Sequence, residues 1–267
     1  MIAKIRQVEI HPTSGCTLKC NLCQHGSHVL PRVNYVDEDY VPHLLALREF
    51  AAWDSLIIGG GEPFTNPETE NIVRECSAVH ACEVVLLTNG FWMLRPDWLE
   101  FVRPVLRMCQ HVVVSRYPVY VSKIGVEEWD RRLVKLHEET GVLVDAFHPH
   151  DPDDLRYSGH VHHDVPQPFV GQCALAPCLQ LLPFGVLLRC PLGYWRDLIP
   201  DVTQSFLRAF DRSGTYALIR RGEGFEAWHN TAQFEACSYC GLATGHSVVE
   251  KWKQVDAAAS PSGAGTL

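Results

Sequence analysis

Along residues 4–147 short apolar runs alternate with longer stretches that are apolar on one face only, the pattern of strand and helix in turn. The runs Lys4–Ile10, Ser55–Ile58, Glu83–Leu87, His111–Val114 and Gly141–Phe147 have strand length. Between them the periodicity predicts a helix over Asp39–Ala52, with Pro42 in its first turn and Leu44, Leu45, Leu47 and Phe50 as its buried stripe. Asn66-Pro67-Glu68 is a helix start by cap, proline and acidic first turn. Pro96 opens another helix through Leu106, and Val126–Thr140 reads as a helix with one solvated face.

Every strand runs out into a cluster of unusual residues. In order these are the loop Gly15-Cys16-Thr17-Leu18-Lys19-Cys20-Asn21-Leu22-Cys23, then Gly59-Gly60-Gly61-Glu62-Pro63, then Thr88-Asn89-Gly90, Ser115-Arg116 and His148-Pro149-His150. Strands separated by helices pair in parallel, and ligands bind at the C-terminal edge of a parallel sheet, so the pattern predicts one common mouth.

The remaining sequence changes this picture in three ways. A net charge of −8 over 267 residues argues against nucleic acid and an anionic membrane surface, which need a basic face. The chain has no apolar run of membrane-spanning length and no signal-peptide core at its start, so a cytoplasmic protein is expected. Eleven cysteines, an odd number at metal-like spacings, suit a reducing compartment rather than a disulfide framework. The final stretch from Asp256, rich in alanine, glycine, serine and proline, is expected to be disordered.

Three thiolates do not close a tetrahedral zinc site, and they leave one iron of a cubane cluster open to a small molecule. A zinc knuckle completed by His25 or His28, or a set of buried thiols, is the plainer alternative. Nonetheless, Cys-x3-Cys-x2-Cys at Cys16, Cys20 and Cys23 resembles the signature of the radical S-adenosylmethionine (radical SAM) superfamily, and Gly59–Pro63 resembles the glycine-rich motif that superfamily carries after its second strand. The resemblance implies an α/β fold, a partial (β/α)6 barrel over about residues 1–165, with a cluster held by the three cysteines and S-adenosylmethionine on its open iron. It further implies that Gly60 and Gly61, ahead of Pro63, let the backbone approach the methionine end, that Glu62 accepts from its ammonium, and that Asn89, Ser115 and Arg116 hold ribose or carboxylate. Leu22 stands where the family usually has an aromatic residue.

After residue 165 the pattern changes. Cys173, Cys190, Cys237 and Cys240 are spaced with eleven residues from Cys173 to Gly185, four from Gly185 to Cys190, and a Cys-x2-Cys pair. Gly185, between Leu181-Leu182 and Val186-Leu187-Leu188, reads as a hairpin turn. A four-cysteine zinc ribbon is one reading. The other rests on resemblance to the Twitch extension, a shortened SPASM domain of hairpin plus helix over residues 166–250, which holds an auxiliary 4Fe-4S cluster. Cys178 is then spare, either a packed thiol or a hydrogen-atom donor to a substrate radical, as in radical SAM epimerases. Cys76, Cys82 and Cys109 read as core.

With only fifteen residues before Cys16, no leader-peptide-binding domain is expected there. The layout resembles small sugar and aminoglycoside dehydrogenases and epimerases, closest to the 2-deoxy-scyllo-inosamine dehydrogenase type. That implies oxidation of an alcohol on a small sugar-like substrate, electron loss to the auxiliary cluster and a flavodoxin- or ferredoxin-type reductant. His148 and His150, in a histidine-dense stretch with His160, His162 and His163, are candidate proton acceptors, and Asp145, Arg156 and Tyr157 candidate hydroxyl contacts. A peptide-modifying enzyme and a non-catalytic zinc-binding module are the other two classes.

Overall fold

Buried apolar residues toward the C-terminal end of each run fix the strands, and tertiary pairing decides where they begin. In the computed structural model, residues 2–20, 23–147, 156–159, 165–168, 178–194, 204–231, 235–240 and 248–251 are described. Strand β1 (Ala3–Ile10) pairs in parallel with β2 (Ala51–Ile58), starting at Ala3 against Ala51. The strand β2 therefore takes Ala51 and Ala52, which the sequence assigned to a helix. Helix α1 is confined to Val41–Arg48, and Phe50 becomes the turn residue whose carbonyl receives the Ala3 N–H at 2.9 Å. Alanine is the strongest helix former, but intrinsic propensity is small per residue, and a full parallel ladder with β1 overrides it. Leu44 and Leu47 are buried as expected, but Leu45, one residue round the helix from Leu44, is 46% exposed.

The remaining units follow the sequence closely. Helix α2 (Thr69–Val79), β3 (Glu83–Thr88), α3 (Trp98–Leu106) and β4 (His111–Ser115) come in order. Beyond them α4 (Pro118–Ile124), which the periodicity did not reveal, precedes α5 (Val126–Thr140) and β5 (Leu143–Phe147). All neighbours from β1 to β5 are parallel. The sheet does not close into a barrel.

The hairpin expected in a C-terminal extension forms, but it is not a separate layer. Strand β7 (Cys178–Leu181) lies parallel against the free edge of β1, β8 (Val186–Leu188) returns antiparallel across the Gly185 turn, and β9 (Thr215–Ala217) follows. The result is one eight-stranded sheet in the order β5-β4-β3-β2-β1-β7-β8-β9. Gly185 has φ +76°, and its carbonyl accepts from Leu218 N–H at 2.9 Å. Strand β6 (Arg156–Gly159) pairs antiparallel with β10 (Val248–Lys251) in a small second sheet. Helix α6 (Gln204–Ser213) packs Phe206, Ala209 and Phe210 against Leu182 and Leu188, and the short α7 (Phe225–Asn230) buries Phe225 beside Tyr216. The tail from Trp252 lies outside the described residues.

Helix α5 shows how the core is held. Trp129, Leu133 and Leu136 face the sheet and are buried, while Val134 is 58% exposed. Leu136→Ala is expected to lower the unfolding free energy by about 2–5 kcal/mol. Val134→Ala should stay within about 0.5 kcal/mol. Urea titration of the two variants followed by circular dichroism checks the contrast, and equal losses would place α5 off the sheet.

Candidate functional site

The cysteine loop is built by bracing its backbone from both sides. After β1 the chain turns through Thr13 and Ser14, whose hydroxyls donate to the Val33 and Pro31 carbonyls at 2.8 and 2.6 Å. From the other side comes the glycine stretch that leaves β2. Gly59 N–H donates to Ile10 O at 3.0 Å, Gly61 N–H to Thr13 O at 2.9 Å and Glu62 N–H to Gly15 O at 2.8 Å.

Two loops this close leave no room for side chains. A Cβ on Gly61 would fall 2.0 Å from the Gly15 carbonyl oxygen, and one on Gly60, where φ is +92°, would fall 2.6 Å from His11 Cβ. The Cβ position of Gly60 is thus filled by His11 and Thr13 and that of Gly61 by Ser14 and Gly15, while both glycines also line the cavity.

Glu62 is fully buried, and its carboxylate accepts from Thr88 Oγ1 at 2.8 Å, Asn89 N–H at 2.6 Å and Phe64 N–H at 3.4 Å. It locks the end of β3 to the glycine loop and is not on the cavity wall. Burial pushes its carboxyl up to about 7 against the pull of these three donors. Pro63 begins a buried 3-10 turn behind it. Asn89 donates from Nδ2 to Thr17 Oγ1 at 3.0 Å and to Cys16 Sγ at 3.4 Å, and Tyr120 of α4 donates to Thr17 Oγ1 at 2.7 Å. Gly90, at φ +73°, lies under Trp129, where a Cβ would be 2.7 Å from the ring.

These loops enclose a cavity of about 610 Å³ whose wall includes Cys16, Cys20, Cys23, Gly60, Asn89 and Ser115. Tyr117 also reaches it. Arg116 does not line it: the side chain is buried and its guanidinium pairs with Asp130 of α5. Asp145 is likewise engaged away from the cavity, 2.9 Å from His111 Nε2. Leu22, His148, His150 and Cys173 lie outside the described residues, as do His160, His162 and His163.

The three loop thiols fit an iron-sulfur cluster better than a single ion. Burial, then the neighbouring Glu62 charge, pushes the Cys16 thiol up to about 12, so a metal's positive charge is needed for it to act as a thiolate. Among the described residues, the one trio of Cys, His, Asp or Glu ligand atoms that converges within 4.8 Å is Glu9, His11 and His25. The cysteine sulfurs are thus spread wider than the roughly 3.8 Å between ligands of a tetrahedral zinc–thiolate site. His25, weighed from sequence as a fourth zinc ligand, faces Glu9 instead, with Nε2 2.9 Å from Oε1.

Cys190, Cys237 and Cys240 all pack against the apolar cluster of Leu182, Leu188, Phe206 and Phe210. Cys178 is placed differently, at the start of β7, where its Sγ donates to Glu9 Oε2 at 3.3 Å. Burial, then the Glu9 charge, holds that thiol well above its ordinary range. Glu9, His11, Gln180, Thr17 and Tyr120 were not singled out from sequence. A glutamate and a histidine flanking Ile10, where β1 runs out into the cysteine loop, were the available signal for the first two.

Three thiols and a glycine loop thus lie at the C-terminal mouth of the parallel strands β1 to β5, the edge at which α/β sheets bind ligands. Residues 10–115 match the family model described as the Radical SAM superfamily. Among solved structures, SuiB of Streptococcus suis bound to S-adenosylmethionine is 17% identical with a TM-score of 0.41, the match covering 54% of this chain and 34% of that one. The structure titled anSMEcpe, with bound AdoMet and a peptide, is 19% identical with a TM-score of 0.36, covering 54% and 42%. SuiB bound to its precursor peptide SuiA is 12% identical with a TM-score of 0.42, covering 90% and 70%. The first two matches thus span well under half of the proteins they match. No curated protein matches the chain. Among the described residues no helix is long and apolar enough to cross a membrane.

Two outcomes are expected from the loop geometry. Gly61→Ala should lower stability by about 3 kcal/mol or more through loss of the two loop-to-loop hydrogen bonds, and iron uptake by the cysteine loop should fall with it. Gly141→Ala, in the left-handed region at φ +75° with open space around it, should cost only about 1–2 kcal/mol and leave iron uptake unchanged. Iron analysis after anaerobic reconstitution compares them, and equal iron in all three proteins contradicts the docking role.

The second concerns the cluster-free chain. Unfolded Glu62 titrates near 4.5 and folded Glu62 near 7, so the folded chain keeps the extra proton between these values. The stabilisation is complete below pH 4.5 and is lost as pH rises through 7. The drop is about 3 kcal/mol. Denaturant unfolding across this range should show it in the parent chain and not in Glu62→Gln.

Proposed function

We propose that the chain is a radical SAM enzyme that abstracts a hydrogen atom from a small polar substrate, sugar-like in class, and oxidises an alcohol on it. The observation that carries the first part is the placing of Cys16, Cys20 and Cys23 on one cavity wall with Gly60, Asn89 and Ser115. When bound there, a 4Fe-4S cluster with S-adenosylmethionine supplies the one-electron cleavage that yields a 5′-deoxyadenosyl radical.

The chain's own residues have distinct tasks in this reading. Cys16, Cys20 and Cys23 ligate the cluster. Asn89 and Tyr120 converge on Thr17 and hold the cysteine loop's first turn against β3 and α4. Ser115 and Tyr117, which line the same cavity, offer hydroxyls to a ribose or carboxylate. Glu62 acts through Thr88 and Asn89 as a positioning residue. Cys190, Cys237 and Cys240, with Cys173 as the fourth thiol, hold an auxiliary cluster that takes up the substrate's second electron, and a flavodoxin- or ferredoxin-type protein is the reductant. His148 and His150 stay candidate proton acceptors.

A second reading, epimerisation, is favoured by one observation. The Cys178 thiol is kept protonated by burial beside Glu9, the state a hydrogen-atom donor needs. A third, modification of a peptide, enters as a substrate class to test.

Anaerobically reconstituted protein given dithionite and S-adenosylmethionine should release 5′-deoxyadenosine and hold about eight irons per chain, falling to about four with no release when Cys16, Cys20 and Cys23 are changed to alanine. No release from the loaded parent chain would overturn the radical reading. Aminocyclitols, sugars and peptides are then compared in deuterated water. Oxidation gives a ketone without solvent deuterium, whereas epimerisation places one deuterium in the product and loses it in Cys178→Ala.

A further inference from the structure

A second group of metal-ligating atoms lies beside the cysteine cavity, and the radical SAM reading gives it no role. Glu9, the penultimate residue of β1, is 5% exposed, as is His11 just beyond the strand. Glu9 Oε1 is 2.7 Å from His11 Nε2 and 2.9 Å from His25 Nε2, and the three ligand atoms converge within 4.8 Å. The two imidazole rings stand nearly perpendicular, with centroids 5.0 Å apart, and their Nε2 atoms share one carboxylate oxygen.

The surroundings are shaped for this group. Gly59 lies under the carboxylate, where a Cβ would be 2.6 Å from Glu9 Oε1, and Gly60 lies under the His11 ring. From β7, Gln180 places its amide nitrogen 2.9 Å from His11 Nδ1, and Cys178 places its thiol on the other carboxylate oxygen. Gln180 is 1% exposed and its Oε1 has no partner. Whichever way the amide is turned, one of its two polar atoms lacks a protein partner, so the pocket has a place for one more polar group, such as a water on an ion.

The charge balance points the same way. A buried carboxylate costs several kcal/mol unless positive charge is set against it. Among the described residues Glu9 has no lysine or arginine partner, only the two imidazoles. A cation bound by all three groups would supply the missing charge.

We propose that Glu9, His11 and His25 form a mononuclear site for a divalent transition-metal ion of the zinc or ferrous class, set in the wall of the cysteine cavity. Two imidazole nitrogens and one carboxylate oxygen suit that class, whereas magnesium and calcium take oxygen ligands throughout. With the ion bound, His11 coordinates through Nε2, and a half-turn of the Gln180 amide lets its carbonyl accept from Nδ1–H, which fixes the ring. Three protein ligands leave coordination positions open. His25, which lines the cavity, puts those positions within reach of a ligand there. The ion would thus hold an oxygen or nitrogen of that ligand as a Lewis acid.

The test uses the iron- and sulfide-loaded protein, equilibrated with zinc chloride, passed over chelating resin and analysed for zinc, iron and sulfide. The parent chain should retain one zinc more than Glu9→Gln and His25→Ala, with iron and sulfide equal in all. Gln180→Leu should weaken zinc binding by about 10- to 100-fold. X-ray absorption at the zinc edge should show nitrogen and oxygen neighbours with imidazole outer shells. Equal zinc in the parent chain and His25→Ala would overturn the site, and so would a sulfur-dominated zinc shell or zinc gained only as iron is lost. His25, 24% exposed at its side chain, can be changed without emptying the core, so the comparison survives if Glu9→Gln does not fold.

Discussion

The backbone contact between the glycine loop and the cysteine loop is the constraint on which the rest of the site depends. Gly61 and Glu62 donate their N–H groups to the Thr13 and Gly15 carbonyls, and the gap between the two loops is too narrow for a single methyl group. This contact sets the loop that carries Cys16, Cys20 and Cys23 over the ends of β1 and β2. Glu62 then passes the constraint to β3 through Thr88 and Asn89, and Asn89 passes it back to Thr17. The circuit closes on itself, so the thiols are positioned by several strands and not by the loop's own conformation.

Burial gives this circuit its chemical character. Glu62 sits where a carboxylate is expensive, and the three donors aimed at it offset only part of that cost, which leaves its carboxyl near neutrality. Glu9 meets the opposite balance. Burial alone would raise it, but His11 and His25 hold it well below the ordinary range. Two buried glutamates, Glu9 on β1 and Glu62 on the glycine loop, thus differ in charge state because Glu62 is surrounded by backbone and hydroxyl donors and Glu9 by imidazoles.

Strand β7 connects the two halves of the molecule. By pairing in parallel with the free edge of β1 it brings Cys178 and Gln180 against Glu9 and His11, and it carries the hairpin that leads to Cys190. Cys190, just after β8, is therefore attached to the same sheet as the cysteine loop.

The sequence by itself determined the five parallel strands, the mouth at their C-terminal ends, the hairpin at Gly185 and the grouping of the cysteines into two sets. Those features are written in local periodicity, glycine and proline positions and short motif spacings, which need no knowledge of distant residues. It misplaced the α1–β2 boundary because a helical preference, small per residue, at Ala51 and Ala52 yields to a ladder with a strand some fifty residues away, pairing Ala3 with Ala51. It did not reveal that Arg116 turns to Asp130, that Glu62 turns to β3, or that His25 leaves the cysteines for Glu9. Each of those outcomes is a choice among several polar partners, made by where burial leaves room and charge, and only the packed sheet fixes it.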